Sequence, residues 1–226
     1  NEWKYIKECL DTGWVSSVGG YVEKFEKMLA SYSGAGYAVA TVNGTSALHV
    51  SLIACGISPW DEVIVPTLTF IAPVNAVRYC GAYPVFMDCD KDTLCIDVQK
   101  ISEFIKNECG QGNDGFTYNR KSGRKVKAII PVHIFGHPAD MDPLLEVSKK
   151  YNLHVIEDAT ESLGSEYKGK KTGSFGRTGC FSFNGNKIIT TGGGGMVVTD
   201  DKGLSERIRH LCTQAKKDLF EYYHDE

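Results

Sequence analysis

Apolar positions along the 226-residue chain recur with two different periods, and the switching between them predicts an α/β architecture. In the segments Glu2 to Leu10 and Tyr21 to Tyr32 the apolar residues fall at helical spacing, with Trp3, Ile6 and Leu10 on one face of the first. Val22, Phe25, Met28 and Leu29 form the corresponding face of the second. Between them, Thr12-Gly-Trp-Val-Ser-Ser-Val-Gly-Gly20 has the glycines and serines of a loop. Further on, Ala38 to Thr41, Glu62 to Val65, Ala82 to Asp88, Val126 to Val132 and His154 to Asp158 have the length and branched side chains of buried strands. Helical patterns fill most of the intervals, at Ser46 to Cys55, Pro73 to Cys80, Val98 to Cys109 and Pro143 to Tyr151. Strands alternating with helices predict a mostly parallel sheet, covered on both faces and built through right-handed crossovers.

After Asp158 the rhythm changes. Shorter apolar runs at Gly179 to Phe183 and Met196 to Thr199 are joined by turns, so part of the sheet is expected to be antiparallel. A last helix, Leu204 to Leu211 or beyond, runs into Glu221-Tyr-Tyr-His-Asp-Glu226 without a stop signal, as though the chain were cut there. Gly110 to Arg124, polar and rich in Gly, Asn and Lys, reads as a surface insertion in a crossover.

Composition narrows the function classes. With 42% hydrophobic and 23% charged residues the chain is a globular one, and a net charge of -3 offers no basic field for nucleic acid. No run approaches the roughly 18 apolar residues that cross a bilayer, and Asn1-Glu-Trp-Lys4 is unlike a signal peptide. No membrane partner and a cytoplasmic location are the expectation. Eight cysteines without a CxxC pair read as reduced, packing thiols. His133 and His137 are four apart, but the Gly and Pro around them break the helix that would align them on a metal.

Three segments carry candidate chemistry, and all fall after strands, where an open α/β sheet binds its ligands. In Val42-Asn-Gly-Thr-Ser-Ala-Leu48 a strand turns into a helix whose first turn offers unpaired N–H groups and the Thr45 and Ser46 hydroxyls. That makes an anion site, or simply a helix cap from Asn43, Thr45 or Ser46. In Glu157-Asp-Ala-Thr-Glu161, Asp158 ends a strand and can face the crevice, where a carboxylate could hold a protonated ring nitrogen, ligate a metal or cap a helix. Glu157 points to the opposite face, so only one of the two acids meets a ligand. The third run, Ser182 to Gly195, contains Lys187 among small residues. An amine that attacks a carbonyl needs its lone pair, which burial or a neighbouring positive charge can free; the plain alternative is a surface lysine in a glycine-rich turn. Phe70, in Pro66-Thr-Leu-Thr-Phe70, could stack on a flat cofactor but by itself reads as core. Gly192 to Gly195 is a phosphate nest, a tight turn or a close backbone crossing.

In their order and spacing, Asn43-Gly-Thr-Ser-Ala47, Pro66-Thr-Leu-Thr-Phe70, Glu157-Asp-Ala159 and Phe181-Ser-Phe-Asn-Gly-Asn-Lys187 resemble the DegT/DnrJ/EryC1/StrS family of sugar aminotransferases. The resemblance implies the fold type I architecture of pyridoxal phosphate enzymes, with a seven-stranded-type sheet. It also implies that residues 1–226 form the cofactor-binding large domain, the family's small carboxy-terminal domain being absent. Asp11 to Ser17 and the four glycines further resemble the branch that acts on nucleotide-linked 4-keto-6-deoxy sugars, most of all the LegC-type enzymes of nonulosonic acid synthesis, which use UDP-linked sugars. Perosamine synthases, acting on GDP-linked sugars, are the close relatives of that branch.

Carried over by position, the resemblance implies that Lys187 holds pyridoxal 5'-phosphate covalently, Asp158 bonds the ring nitrogen and Phe70 stacks on the ring. Thr45, Ser46 and Ser182 would bind the phosphate, and Glu161 would stand near the ring hydroxyl, where many members carry Gln or His. Glutamate is the implied amino donor and a homodimer the implied assembly. Trp14, Ser16, Ser17 and His133 border the expected sugar pocket without an assigned role. The competing readings are another fold type I pyridoxal phosphate enzyme and a non-catalytic binding or regulatory module that kept the fold.

Overall fold

The computed structural model describes residues 1–16, 19–216 and 223–225. Two helices open the chain, α1 (Glu2–Thr12) and α2 (Gly20–Ser33), followed by β1 (Tyr37–Thr41) and α3 (Gly44–Ala54). The first crossovers run through β2 (Glu62–Pro66), α4 (Ala72–Tyr79), β3 (Tyr83–Met87) and α5 (Val98–Glu108). A short hairpin, β4 (Cys109–Gln111) and β5 (Thr117–Asn119), leads into β6 (Lys125–Ile129), a 3-10 turn (Ile134–Gly136), α6 (Met141–Lys150) and β7 (His154–Asp158). A second hairpin, β8 (Glu166–Tyr167) and β9 (Lys170–Lys171), precedes β10 (Thr178–Ser182), β11 (Gly195–Thr199) and α7 (Lys202–Cys212).

Seven strands form the main path of the sheet in the order β1-β11-β10-β7-β6-β2-β3, with β4 and β5 attached off that path. From β10 to β3 the neighbours are parallel. The expected antiparallel part is β11, which opposes both β10 and β1. Period-two alternation sends successive side chains to opposite faces. Val63 and Val65 join α3 and α4 in one core, while Ile64 between them joins α5 and α6 in the other. Ile156 and Val155 divide in the same way on β7, and Met196 and Val198 on β11 meet Leu29 of α2 in a third cluster. Because apolar surface is buried on both faces, the parallel strands read as continuous apolar runs.

Three expectations need correction. Gly110 to Arg124 is not a plain surface insertion: Thr117 and Tyr118 pair with Val126 and Lys125, so the segment folds back and extends the sheet. In α2 Leu29 and Phe25 pack into the core as expected, but Met28 is exposed and Glu26 is buried, its carboxylate paired with Arg209 of α7 and accepting the Ala40 N–H. In α1 no residue is buried, although its apolar face is regular. Tyr5 packs edge-on against Tyr21, and Trp3, Ile6 and Leu10 stay exposed. Ser17 and Glu221, Tyr222 and Glu226 of the terminal run lie outside the described residues.

Candidate active site

β7 delivers two adjacent carboxylates to opposite faces of the sheet, as the strand geometry requires. Glu157 faces inward, where its Oε1 accepts the N–H groups of Phe175 (2.7 Å) and Gly176 (2.6 Å) and its Oε2 that of Gly173 (2.7 Å). His133 Nε2 lies 3.0 Å from the same Oε2, and Nδ1 accepts the Ala139 N–H at 3.1 Å. With Nδ1 an acceptor, the proton sits on Nε2 and points at Glu157. His133 is therefore a fully buried ring whose two nitrogens are both engaged by the protein.

Asp158 faces the crevice side of the sheet end, in register with Cys180 of β10, and is 3% exposed. Burial pushes its carboxyl up from the usual range, and bonding to the Thr160 hydroxyl and N–H, with the nearby His133 and Lys187, pulls it back down. The Thr160 N–H reaches Asp158 Oδ1 at 3.1 Å.

Lys187 sits in the loop between β10 and β11, which is tied by Lys187 N–H to Asn184 O and by Thr191 N–H to Phe183 O, both at 3.0 Å. Its side chain is 16% exposed, and Nζ lies 3.2 Å from Glu161 Oε1. The plain reading of a solvated surface lysine is thereby overturned. Of the two ways to free the amine, burial is the one seen, since the neighbour is a carboxylate. The other oxygen of Glu161 accepts the Phe135 N–H at 3.2 Å. Phe135 holds a left-handed backbone, φ 50°, which few bulky residues adopt and which aims that N–H.

The amino end of α3 completes the group. Asn43 caps the helix, its side chain accepting the Ser46 N–H at 2.8 Å. The cap leaves room for an anion, because no hydrogen bond of the Gly44 or Thr45 N–H groups is seen among the described residues. A Cβ on Gly44 would stand 2.8 Å from Ser182 Cβ and 2.9 Å from Thr160 Cγ2. Gly44 thus lets the helix end, Ser182 and Thr160 share one small space. Gly195 answers the question of the glycine run: its Cβ would meet Asn43 O at 2.3 Å, so here the run is a close backbone crossing.

The sequence-derived residues therefore converge in part. Asp158 and Ser182 end the interior strands β7 and β10, Glu161 and Lys187 lie in the loops that follow them, and Thr45 and Ser46 open α3 beside them. Phe70 is 75% exposed and not core, so its ring face is open to a ligand. In the same loop the Thr69 hydroxyl oxygen is buried with no hydrogen-bond partner in the described structure. Such an orphaned atom suits a ligand. The separate cleft between α2, β1 and α7 is no rival, because its acid and base, Glu26 and Arg209, are already paired at 2.8 Å. Thr160 and Phe135 were missed from the sequence. A hydroxyl two residues after Asp158 was a usable signal, whereas nothing local marks a left-handed phenylalanine except the glycine after it.

These residues fit pyridoxal 5'-phosphate: an amine for its aldehyde, a buried acid for its ring nitrogen and a helix end for its phosphate. The whole chain, residues 1–226, matches the model of the DegT/DnrJ/EryC1/StrS aminotransferase family. The chain belongs to that family. It is 49% identical over 214 residues to the GDP-perosamine synthase of Caulobacter vibrioides, covering 95% of this chain and 53% of that protein. To the GDP-perosamine synthase of Escherichia coli O157:H7 it is 48% identical, covering 99% of this chain and 57% of the other. The chain thus spans little more than half the length of these relatives. Among solved structures, a family aminotransferase from Brucella abortus superposes with a TM-score of 0.87 at 32% identity, covering 97% of this chain and 56% of that one. NtdA from Bacillus subtilis, solved with bound cofactor PMP, gives 0.84 at 31% identity, covering 99% and 47%. With these neighbours the sheet is that of fold type I.

Proposed function

We propose that the chain is the cofactor-binding part of a pyridoxal-phosphate aminotransferase that moves an amino group from glutamate to the 4-keto carbon of a nucleotide-linked 4-keto-6-deoxy sugar. The observation that carries this is the convergence of Lys187, Asp158 and the Gly44–Ser182 cradle at the carboxyl ends of β7 and β10. When bound, the cofactor supplies a ring that takes up the negative charge developing on the reacting carbon.

The rest falls to the side chains. Lys187 would hold the cofactor through Nζ, and the same amine, when free, could carry a proton at the reacting carbon. Asp158 keeps the ring nitrogen protonated, and the N–H groups of Gly44 and Thr45 with the Ser46 and Ser182 hydroxyls take the phosphate. Glu161, 3.2 Å from Nζ, would keep the amine in place, and Phe70 would offer its exposed ring to the cofactor. Residues 1–226 act as the large domain, in a cytoplasmic homodimer.

Between the two nucleotide readings, the two perosamine synthases of nearly 50% identity support a GDP-linked sugar over the UDP-linked one expected from the LegC-type resemblance. The test has two stages. Borohydride treatment of protein loaded with pyridoxal 5'-phosphate should fix the cofactor on Lys187, read by peptide mass mapping; label on another lysine, or none, favours the binding-module reading. Turnover with glutamate and paired GDP- and UDP-linked 4-keto-6-deoxy sugars should then favour the GDP sugar. Preference for UDP would restore the LegC-type assignment.

A further inference from the structure

Thr160 stands between the two ends of the proposed cofactor cleft and touches both. Its N–H donates to Asp158 Oδ1 at 3.1 Å, while its methyl carbon occupies the space beside Gly44, 2.9 Å from where a Cβ would lie. Ser182 shares that space from the other side. We propose that Thr160 is a positioning residue that holds the Asp158 carboxylate on the ring-nitrogen side while its methyl group sets the distance from there to the amino end of α3. The inference rests on the reading of Asp158 as the partner of the ring nitrogen.

The physical argument concerns a carboxylate that must stay ionised where water is scarce. A buried acid loses hydration, and that loss is what raises the Asp158 carboxyl. The groups facing it are few. Lys187 approaches from the loop after β10, itself paired with Glu161; His133 approaches from the loop after β6; the Cys180 thiol lies beside it on β10. His133 donates its ring proton to Glu157, so it offers Asp158 no side-chain bond. Lys187 is the residue that reacts, so it would not face Asp158 as a free ammonium throughout. Among the described residues, the Thr160 N–H at 3.1 Å is the donor whose bond to Asp158 needs no reacting group.

Two substitutions separate its hydroxyl from its methyl group. Thr160→Val keeps the shape and the N–H but removes the hydroxyl, whereas Thr160→Ser keeps the hydroxyl and removes the methyl carbon. The readout is retention of pyridoxal 5'-phosphate by the holoprotein in equilibrium dialysis across pH, which needs no turnover. A protonated Asp158 cannot hold the ring nitrogen, so retention falls on acidification. In Thr160→Val the Asp158 carboxyl rises further, and the acid midpoint should move up by about 1 pH unit, with Thr160→Ser restoring the wild-type midpoint. Thr160→Ser should instead weaken retention a few-fold at every pH. An unchanged midpoint in Thr160→Val overturns the inference if Asp158→Asn has lost the cofactor. If Asp158→Asn retains cofactor with an unaltered profile, it is the reading of Asp158 itself that fails.

Discussion

Two residues show how differently the cleft treats chemistry and packing. The Lys187–Glu161 pair is partly open to solvent on the Glu161 side, at 38% exposure, so its contribution to stability is that of a surface pair, below about 1 kcal/mol. Lys187→Arg keeps the charge and loses the reactive amine. Its denaturation midpoint in urea should match wild type, while borohydride should fix no cofactor on the cleft. Gly195 is the reverse case. Its Cβ would press on the Asn43 carbonyl at 2.3 Å and on Thr41 Oγ1 at 2.6 Å, and main chain cannot yield as a side chain can. Gly195→Ala should destabilise the fold by about 2 kcal/mol or more in urea titration and displace the Asn43 cap from α3. A stability equal to wild type would show that the two loops can separate freely.

At the scale of the element, β7 joins both ends of the sheet in five residues. It starts at His154, whose ring is pushed down to about 4 by burial, then by the charges of Arg177 and Lys127. Folded protein thus keeps the ring neutral where the unfolded chain protonates it, near its ordinary value of about 6.5. Between those two values the unfolded state binds more protons, so stability should fall as pH drops from about 6.5 towards about 4. His154→Gln should flatten that slope in urea midpoints measured across the window, and an equal slope would mean that other groups govern the acid limb. The strand was readable because His-Val-Ile-Glu-Asp is short, branched and closed by an acid. By contrast, the hairpins β4–β5 and β8–β9 carry no apolar run of their own and exist through pairing with distant or adjacent backbone. Periodicity reports burial, so it found the strands of the core and missed those at its margin. The site divides on the same line. Lys187, Asp158 and Ser182 could be named from motif and position, whereas the contact of Thr160 with Gly44 depends on folded distances that no local pattern encodes.

At the scale of the molecule, the cleft opens onto apolar surface. Val42, Leu68, Ile71, Phe135, Ile188 and Ile189 are all exposed, and all belong to loops that also carry the candidate site residues. Exposed apolar side chains are unfavourable against water, and where they gather they mark association surfaces. A second copy of the chain is the occupant that the proposed homodimer supplies. Such a dimer would close the mouth of the cleft and lower the water content around Lys187, so cofactor retention and association should be linked. Diluting the holoprotein through its dimer dissociation range should release pyridoxal 5'-phosphate in step with the change in sedimentation coefficient. Ile189→Asp places a charge in the same surface and should shift both transitions to higher protein concentration, with the far-ultraviolet circular dichroism unchanged. Cofactor that stays bound in a species sedimenting as a monomer would separate the two events, and the exposed face would then have to serve some other contact.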